Sequence, residues 1–268
     1  MEAAEAGQRS QEHLINILLA CSTQEEALRA GRIRVMYSDQ ISGEERLRLL
    51  GFPKPEGLLD TYSPEKAAKL FETFVRTGTW QVPTLALYHG FAYGDDFVKD
   101  PRVRFMPESW RRTAHPRDKS YMKDLTPQQF DALVLRIRTV LERHKKLVGD
   151  MHRAGVQFLA GTDTSATNPV IPGAGLHQEL ALLVESGFTP YEALETATRN
   201  PARYLGMLDW LGTIEPGKAA DMVLLDADPL ADIHNTEKVR AVVMRGRYFS
   251  RASLDDMLET LARPRPGD

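Results

Sequence analysis

An aspartate stands directly after a short apolar run in the second half of the chain, where a carboxylate could do chemistry. The run extends from Val156 to Ala160, and Gly161 and Thr162 separate it from Asp163. Such a run, without alternating polar residues, is typical of a parallel strand that is buried on both faces. In α/β barrels, the C-terminal ends of these strands carry catalytic groups and metal ligands. Asp163 is therefore a candidate site residue, and the alternative is a structural role in an Asx turn or as a helix N-cap.

Histidines offer further candidates for a site. His177 follows a loop rich in Thr, Asn, Pro and Gly and stands at the start of a predicted helix over residues 176–186. There it could contact a substrate, and the alternative is a capping or packing role. His144 and His152 lie on the longest predicted helix, which begins at Thr126-Pro127, and we expect both of them to be solvated.

The elements that must position Asp163 alternate between strands and helices, as in a parallel α/β fold. We predict strands from Arg9 to Leu14, from Trp80 to Tyr88 and from Val156 to Ala160. Because proline donates no ladder hydrogen bond, we expect Pro83 near the start of the second strand or at a bulge. Residues 31–60 show little periodicity, which predicts a loop with short helical pieces. Residues 89–124 form a long irregular stretch of mixed charge, with the length of an active-site lid.

The pattern changes after residue 211. Short strands are predicted from Met222 to Leu225 and from Val239 to Met244, and Arg245-Gly246-Arg247 indicates a tight hairpin. So few strands do not form a stable sheet by themselves. We therefore expect two units, an α/β portion over residues 1–210 and a C-terminal β portion with its tail over residues 211–268.

Composition and charge limit the partners of this chain. Hydrophobic residues make up 42% and charged residues 26% of the sequence, as in ordinary globular proteins. The net charge of -3 gives no general attraction to nucleic acid or to an anionic membrane. Cys21 is the one cysteine, which excludes an intrachain disulfide and suits a reducing compartment. We expect a cytoplasmic protein that acts on a small molecule, without nucleic-acid or membrane partners.

Several motifs resemble, in order and spacing, the C-terminal part of the metal-dependent amidohydrolases, in the branch of the imidazolonepropionases and prolidases. They are Ala160-Gly161-Thr162-Asp163-Thr164, Leu176-His177-Gln178-Glu179-Leu180, Gly187-Phe188-Thr189-Pro190, Ala197-Thr198-Arg199-Asn200-Pro201 and Leu211-Gly212-Thr213-Ile214-Glu215-Pro216-Gly217-Lys218. Upstream, residues 10–14 resemble the sixth strand of the family's barrel, and residues 80–85 resemble the seventh. The resemblance covers nearly the whole chain, least closely in residues 31–60 and 89–125.

The resemblance implies a partial (β/α)8 TIM-type barrel, with strands 6 to 8 and their helices, beside a small C-terminal β unit of a composite sandwich. It also implies a hydrolase that cleaves a carbon–nitrogen bond of an amide, cyclic amide or dipeptide with one or two divalent metal ions, usually zinc. His13 then takes the place of the strand 6 metal ligand, or is a core histidine. Asp163 takes the place of the strand 8 ligand, which also accepts a proton from the attacking water.

The sequence departs from the family in its other metal ligands. The family takes them from a His-x-His pair on strand 1, a lysine or glutamate on strand 4 and a histidine on strand 5, and no residue here matches these positions. Catalytic zinc has three protein ligands, so His13 and Asp163 alone make a weak site. The chain is therefore interpreted as an amidohydrolase without its N-terminal half, which a complementing half would restore. The alternative is a catalytically inactive remnant or interaction module. Open sheet edges predict self-association in either case.

Overall fold

A small parallel sheet lies at the centre of the helices. The computed structural model describes residues 1–43, 45, 46, 49, 58–113, 115–120 and 122–263. Strand β1 (Ser10–Glu12) pairs in parallel with β2 (Trp80–Val82). The segment around Phe158 continues the sheet through a parallel bridge to Gln81, whose carbonyl accepts the N–H of Leu159 at 3.0 Å. The three predicted segments are thus adjacent and parallel, but the third is a bridge, so three full barrel strands are not observed.

Helices follow each of these segments. In chain order they are α1 (Glu2–Glu5), α2 (Ile17–Ala20), α3 (Glu25–Met36), α4 (Pro64–Thr77), α5 (Leu85–Ala92), α6 (Gly94–Lys99), α7 (Glu108–Arg111), α8 (Pro127–Arg153), α9 (Ala174–Glu185), α10 (Pro190–Ala197), α11 (Arg199–Tyr204) and α12 (Arg251–Ala262), with 3-10 turns at Pro101–Phe105, Pro116–Asp118 and Ile233–Glu237. None of the helices in the described ranges has the length and apolar character that crossing a membrane requires.

The helix start that the sequence indicated at Thr126 is observed. Helix α8 begins at a capping box, in which Thr126 and Gln129 each accept the backbone N–H of the other. Helix α10 begins at the equivalent box of Thr189 and Glu192. Helix α8 turns an apolar stripe to the core, because its buried positions recur at helical spacing.

The expectation that His144 is solvated is wrong. Its residue is 5% exposed, and its ring meets that of Tyr88 edge-on, with 4.6 Å between the centroids. Position 144 continues the apolar stripe of α8. The prediction missed this because histidine is a polar residue type. Burial lowers the pKa of His144 to about 3. His152 is half-buried, and its ring stacks on Phe188 with 3.8 Å between the centroids.

The second predicted strand is shorter than expected. Strand β2 ends at Val82, and Pro83 follows it rather than lying near its start. Thr84 then takes a left-handed backbone conformation and α5 begins at Leu85. Periodicity alone does not separate a short apolar run in a strand from one in a buried helix. Residues 89–124 also differ from the predicted irregular lid, because they contain the end of α5, α6, α7 and two 3-10 turns.

The stretch predicted as a loop with short helical pieces begins inside a helix. Helix α3 extends to Met36, so the first six residues of the stretch, 31–36, are helical. Residues 44, 47, 48 and 50–57 of that stretch lie outside the described residues.

The first two C-terminal strands match their predicted bounds. Strands β3 (Met222–Leu225), β4 (Val239–Met244) and β5 (Arg247–Ser250) form an antiparallel sheet in the order β3-β4-β5. Arg245 and Gly246 join β4 to β5 with φ values of 50° and 75°, which a two-residue hairpin of this twist requires. Helix α12 follows β5 and was not predicted. The division of the chain at residue 210 stays a prediction.

Candidate active site

Three residues with left-handed backbone mark the same end of the parallel sheet. His13 follows β1, Thr84 follows β2, and Asp163 follows the bridged segment at Phe158, with φ values of 61°, 50° and 51°. Such a conformation costs about 1–3 kcal/mol in a residue other than glycine and persists where the surrounding structure holds it. Leu14 and Asn16, close behind His13, also have positive φ values, of 53° and 62°. The position of His13, Thr84 and Asp163 at the C-terminal end of a parallel sheet makes them candidates for a functional site.

The structure brings His13 and Asp163 together. Nε2 of His13 lies 4.0 Å from Oδ2 of Asp163, and the side chains are 30% and 41% exposed. Zinc bonds to nitrogen and oxygen ligands are about 2.0–2.2 Å long, so one ion could contact both atoms. The role of the two residues as metal ligands stays a prediction.

Contacts with Thr84 and Tyr88 orient His13. Its Nδ1 lies 2.9 Å from Oγ1 of Thr84, and its backbone carbonyl accepts the Tyr88 hydroxyl at 3.0 Å. The backbone N–H of His13 donates to the carbonyl of Val82 at 2.9 Å. With Nδ1 engaged, Nε2 is the nitrogen that faces Asp163. Metal-binding histidines commonly have their second ring nitrogen engaged in this way.

A turn of small residues holds Asp163. The side-chain amide of Asn168 donates to the backbone carbonyl of Asp163 at 2.7 Å and to its Oδ2 at 2.9 Å. A Cβ at Gly161 would lie 2.4 Å from Cγ1 of Val82, so glycine permits the close approach of this turn to β2. The next helix, α9, has Gly173 at its N-cap, and the alternative role of Asp163 as that cap is therefore wrong.

The donor atoms fit part of a metal centre. An imidazole nitrogen and a carboxylate oxygen suit zinc and similar divalent ions. No group of three or more His, Cys, Asp or Glu side chains is placed to hold a metal among the residues that the structure describes. Because catalytic zinc has three protein ligands, His13 and Asp163 fit two of the positions and do not complete the centre.

His177 lines a cavity of about 280 Å³ whose lining residues do not include His13 or Asp163. Its Nδ1 lies 3.0 Å from Oγ1 of Thr236, in the 3-10 turn that precedes β4. Burial lowers the pKa of His177. A contact of His177 with substrate stays a prediction.

Sequence reasoning missed Thr84, Tyr88 and Asn168. Thr84 could have been found if β2 had been ended at Pro83, because residue 84 then falls at the C-terminal end of a strand. Tyr88 was assigned to the predicted strand, so its position on a helix was not recognised. Asn168 lies in a polar loop, and nothing in its sequence context distinguishes it.

Comparisons with known proteins identify similar sequences and folds. The model of the amidohydrolase family matches residues 97–248, which is more than half of the chain. Imidazolonepropionase of Maricaulis maris (strain MCS10) is 37% identical over 93 residues, 34% of this chain and 23% of that protein. A bottromycin amidohydrolase structure has a TM-score of 0.61 and 19% identity, over 98% of this chain and 51% of that one. A Xaa-Pro dipeptidase structure has a TM-score of 0.53 and 19% identity, over 93% and 41%.

The chain spans only part of these relatives. Aligned segments make up 12% to 23% of the first curated relatives, and about half or less of the two solved chains. The structural similarity establishes a mixed α/β fold of the kind found in amidohydrolases. The match of the family model shows that the chain belongs to the amidohydrolase family, and imidazolonepropionases are among its relatives in sequence.

Proposed function

We propose that this chain contributes His13 and Asp163 to a divalent metal centre, zinc in particular, that hydrolyses carbon–nitrogen bonds. The observation that supports the proposal is the 4.0 Å approach of His13 Nε2 to Asp163 Oδ2 at the C-terminal end of the parallel sheet. The substrate class is a small amide, cyclic amide or dipeptide, by analogy with the imidazolonepropionase and the Xaa-Pro dipeptidase that the chain resembles.

Each residue of the candidate site has its own role in the proposed reaction. A divalent ion, when bound, supplies a water of lowered pKa and polarises the substrate carbonyl. The Asp163 carboxylate accepts a proton from the attacking water and delivers it to the leaving nitrogen. His13 Nε2 provides a ligand lone pair, and Thr84 fixes the ring that carries it. Asn168 keeps the Asp163 carboxylate directed toward His13 through its contact at 2.9 Å.

The described residues supply no third ligand for the proposed centre, and we propose that the remaining ligands come from a further stretch of polypeptide. Because two ligands bind a metal weakly, we expect little turnover from the chain alone. A second polypeptide, or additional sequence, that carries a His-x-His strand would complete the centre. Residues 1–210 would then be the barrel portion that receives it, and residues 211–268 a portion of a composite sandwich.

A second candidate function is that of an inactive remnant or interaction module. It is favoured by one observation, namely that the described residues contain no set of three metal ligands. The two candidates differ in what complementation does, because only an incomplete enzyme gains activity when the other ligands are supplied.

Complementation therefore tests the proposal. The chain is co-expressed with an N-terminal amidohydrolase half that carries a His-x-His pair, and hydrolysis of a panel of dipeptides and cyclic amides is followed with and without a chelator. We expect activity that is sensitive to the chelator from the assembled pair. Asp163→Asn should abolish turnover and leave assembly intact, whereas Asp226→Asn, which changes a carboxylate paired to Arg240 at 3.0 Å, should preserve both.

Two outcomes would contradict the proposal. An assembled pair that binds metal but hydrolyses no member of the panel would favour the interaction module. Strong activity of the chain alone, lost with a chelator and unaffected by His13→Ala, would mean that other residues hold the metal.

A further inference from the structure

Glu179 is a fully buried carboxyl group on α9. Its exposure is 0%, and it forms no ion pair with any residue in the described part of the chain. Oε2 accepts the backbone N–H of Ala86 at 2.7 Å, whereas Oε1 has no hydrogen-bond partner among the described residues. Burial raises the pKa of Glu179 to about 8, against the opposing effect of backbone N–H groups at the start of α5. A group that is so costly to bury calls for an explanation beyond packing.

The contact of Glu179 lies at the N-terminus of α5. The first N–H groups of a helix have no partner within the helix, and an N-cap threonine commonly accepts one of them through its hydroxyl. Thr84 is the N-cap of α5, but its hydroxyl makes no cap hydrogen bond. That hydroxyl lies instead 2.9 Å from Nδ1 of His13. Glu179 thus accepts an N–H that the N-cap side chain leaves without a partner.

Helix α5 makes a second contact with His13. Tyr88, one turn after Thr84, donates its hydroxyl to the backbone carbonyl of His13 at 3.0 Å. The placement of α5 therefore sets two hydrogen bonds to the candidate ligand, one to its ring and one to its backbone. Anything that fixes the start of α5 also fixes the direction of His13 Nε2.

We propose that Glu179 is a positioning residue, which caps α5 in place of Thr84 and so leaves the Thr84 hydroxyl to orient His13 toward Asp163. The role of His13 as a ligand rests on the function proposed above, but the positional link does not require a bound metal. It predicts that the acceptor oxygen at position 179 matters, rather than the negative charge.

The test follows the His13 ring directly by NMR. Long-range proton–nitrogen spectra of the full chain report the tautomer of each histidine, and His13→Gln identifies the His13 signals. We expect one dominant tautomer in the wild type. Glu179→Met, which keeps the length and removes the acceptor, should give a mixture of tautomers. Glu179→Gln, which keeps one acceptor oxygen, should preserve the wild-type signals.

Further variants separate positioning from a loss of stability. Thr84→Val should give the same tautomer mixture as Glu179→Met, and the double variant should show no further change, because both act through one contact. Leu183→Ala, on the same helix and also buried, should lower stability but leave the His13 signals unchanged. If Glu179→Met does not fold, Glu179→Asp, which withdraws the carboxyl by one methylene, takes its place.

The proposal is overturned if Glu179→Met keeps the wild-type tautomer while Thr84→Val changes it. It is equally overturned if Leu183→Ala alters the His13 signals as much as Glu179→Met does. Failure of the proposed function would look different. In that case the complemented pair would bind no Co²⁺ or Zn²⁺, while the tautomer of His13 would still respond to the residue at position 179.

Discussion

The Thr84 hydroxyl lies 2.9 Å from Nδ1 of His13, although Thr84 stands at a helix N-cap, where its hydroxyl would ordinarily bind its own helix. This contact leaves Nε2 as the nitrogen that faces Asp163. The candidate site therefore depends on a residue that would bind neither metal nor substrate.

Thr84→Val removes this contact at nearly constant volume. We expect the affinity of the complemented pair for Co²⁺ to fall about 10–100-fold, as when a partner of a metal-bound histidine is removed. The measurement is a Co²⁺ titration followed by visible absorption.

Thr79→Val is the matched control for this change. Thr79 is also buried beside β2, but its hydroxyl donates to the carbonyl of Gln8 at 3.0 Å, before the strand begins. Thr79→Val should lower the free energy of unfolding by about 1 kcal/mol, as for a lost hydrogen bond, and leave the Co²⁺ affinity unchanged. An equal loss of affinity in both variants would contradict the role given to Thr84.

The sequence allowed the prediction of features that local chemistry determines. The start of α8 at Thr126 depends on residues three positions apart, and the hairpin at Arg245-Gly246 depends on its two central residues. The place of Asp163 after an apolar run is also a local feature, although its metal role stays a prediction. The family resemblance then paired Asp163 with His13.

The features that were missed depend on contacts between distant segments. Strand β2 ends at Val82, and the start of the following helix, α5, is capped by Glu179 on α9. No local pattern in the sequence indicates that contact. The burial of His144 likewise requires that the whole stripe of α8 face the core. In both cases tertiary packing buries a side chain, Glu179 or His144, of a type that is usually exposed to solvent.

Glu179→Gln should change how stability depends on pH. The pKa of Glu179 is raised from 4.5 to about 8 in the folded chain. Its contribution is fully present below pH 4.5 and is lost as pH rises toward 8, by at most about 1.4 kcal/mol per pH unit. The free energy of unfolding of the variant should therefore increase relative to the wild type between pH 5 and pH 8. Urea denaturation at several pH values measures the free energy of unfolding of both proteins. A difference between them that does not change with pH would contradict the prediction.

His144→Leu should change the pH dependence of stability in the opposite direction. Burial lowers the pKa of His144 from 6.5 to about 3, so the unfolded chain takes up the proton first. The contribution of the neutral ring is present above pH 6.5 and is lost as the pH falls toward 3. The variant should gain stability relative to the wild type over that interval, in the same urea measurements. Leu141→Met, one turn away on the same face of α8, should show no such trend.

The C-terminal sheet leads to a prediction about self-association. Val223 and Leu224 are neighbours on β3 and therefore point to opposite faces of the sheet, yet they are 57% and 54% exposed. Strand β3 is also an edge of its sheet, with unpaired backbone groups that can bind a second chain. We expect the chain to self-associate through this edge, with sedimentation velocity showing larger species as the protein concentration rises.

Val223→Lys places a charge on that edge strand and should shift the chain toward the monomer, because lysine on an edge strand disfavours its pairing with another strand. Leu135→Lys is the matched control, since Leu135 is also an exposed apolar residue, 66% exposed on α8 and far from the sheet in sequence. It adds the same charge and should leave sedimentation unchanged. If both substitutions dissociate the chain equally, general charge repulsion rather than the β3 edge controls association. If neither does, another surface forms the contact.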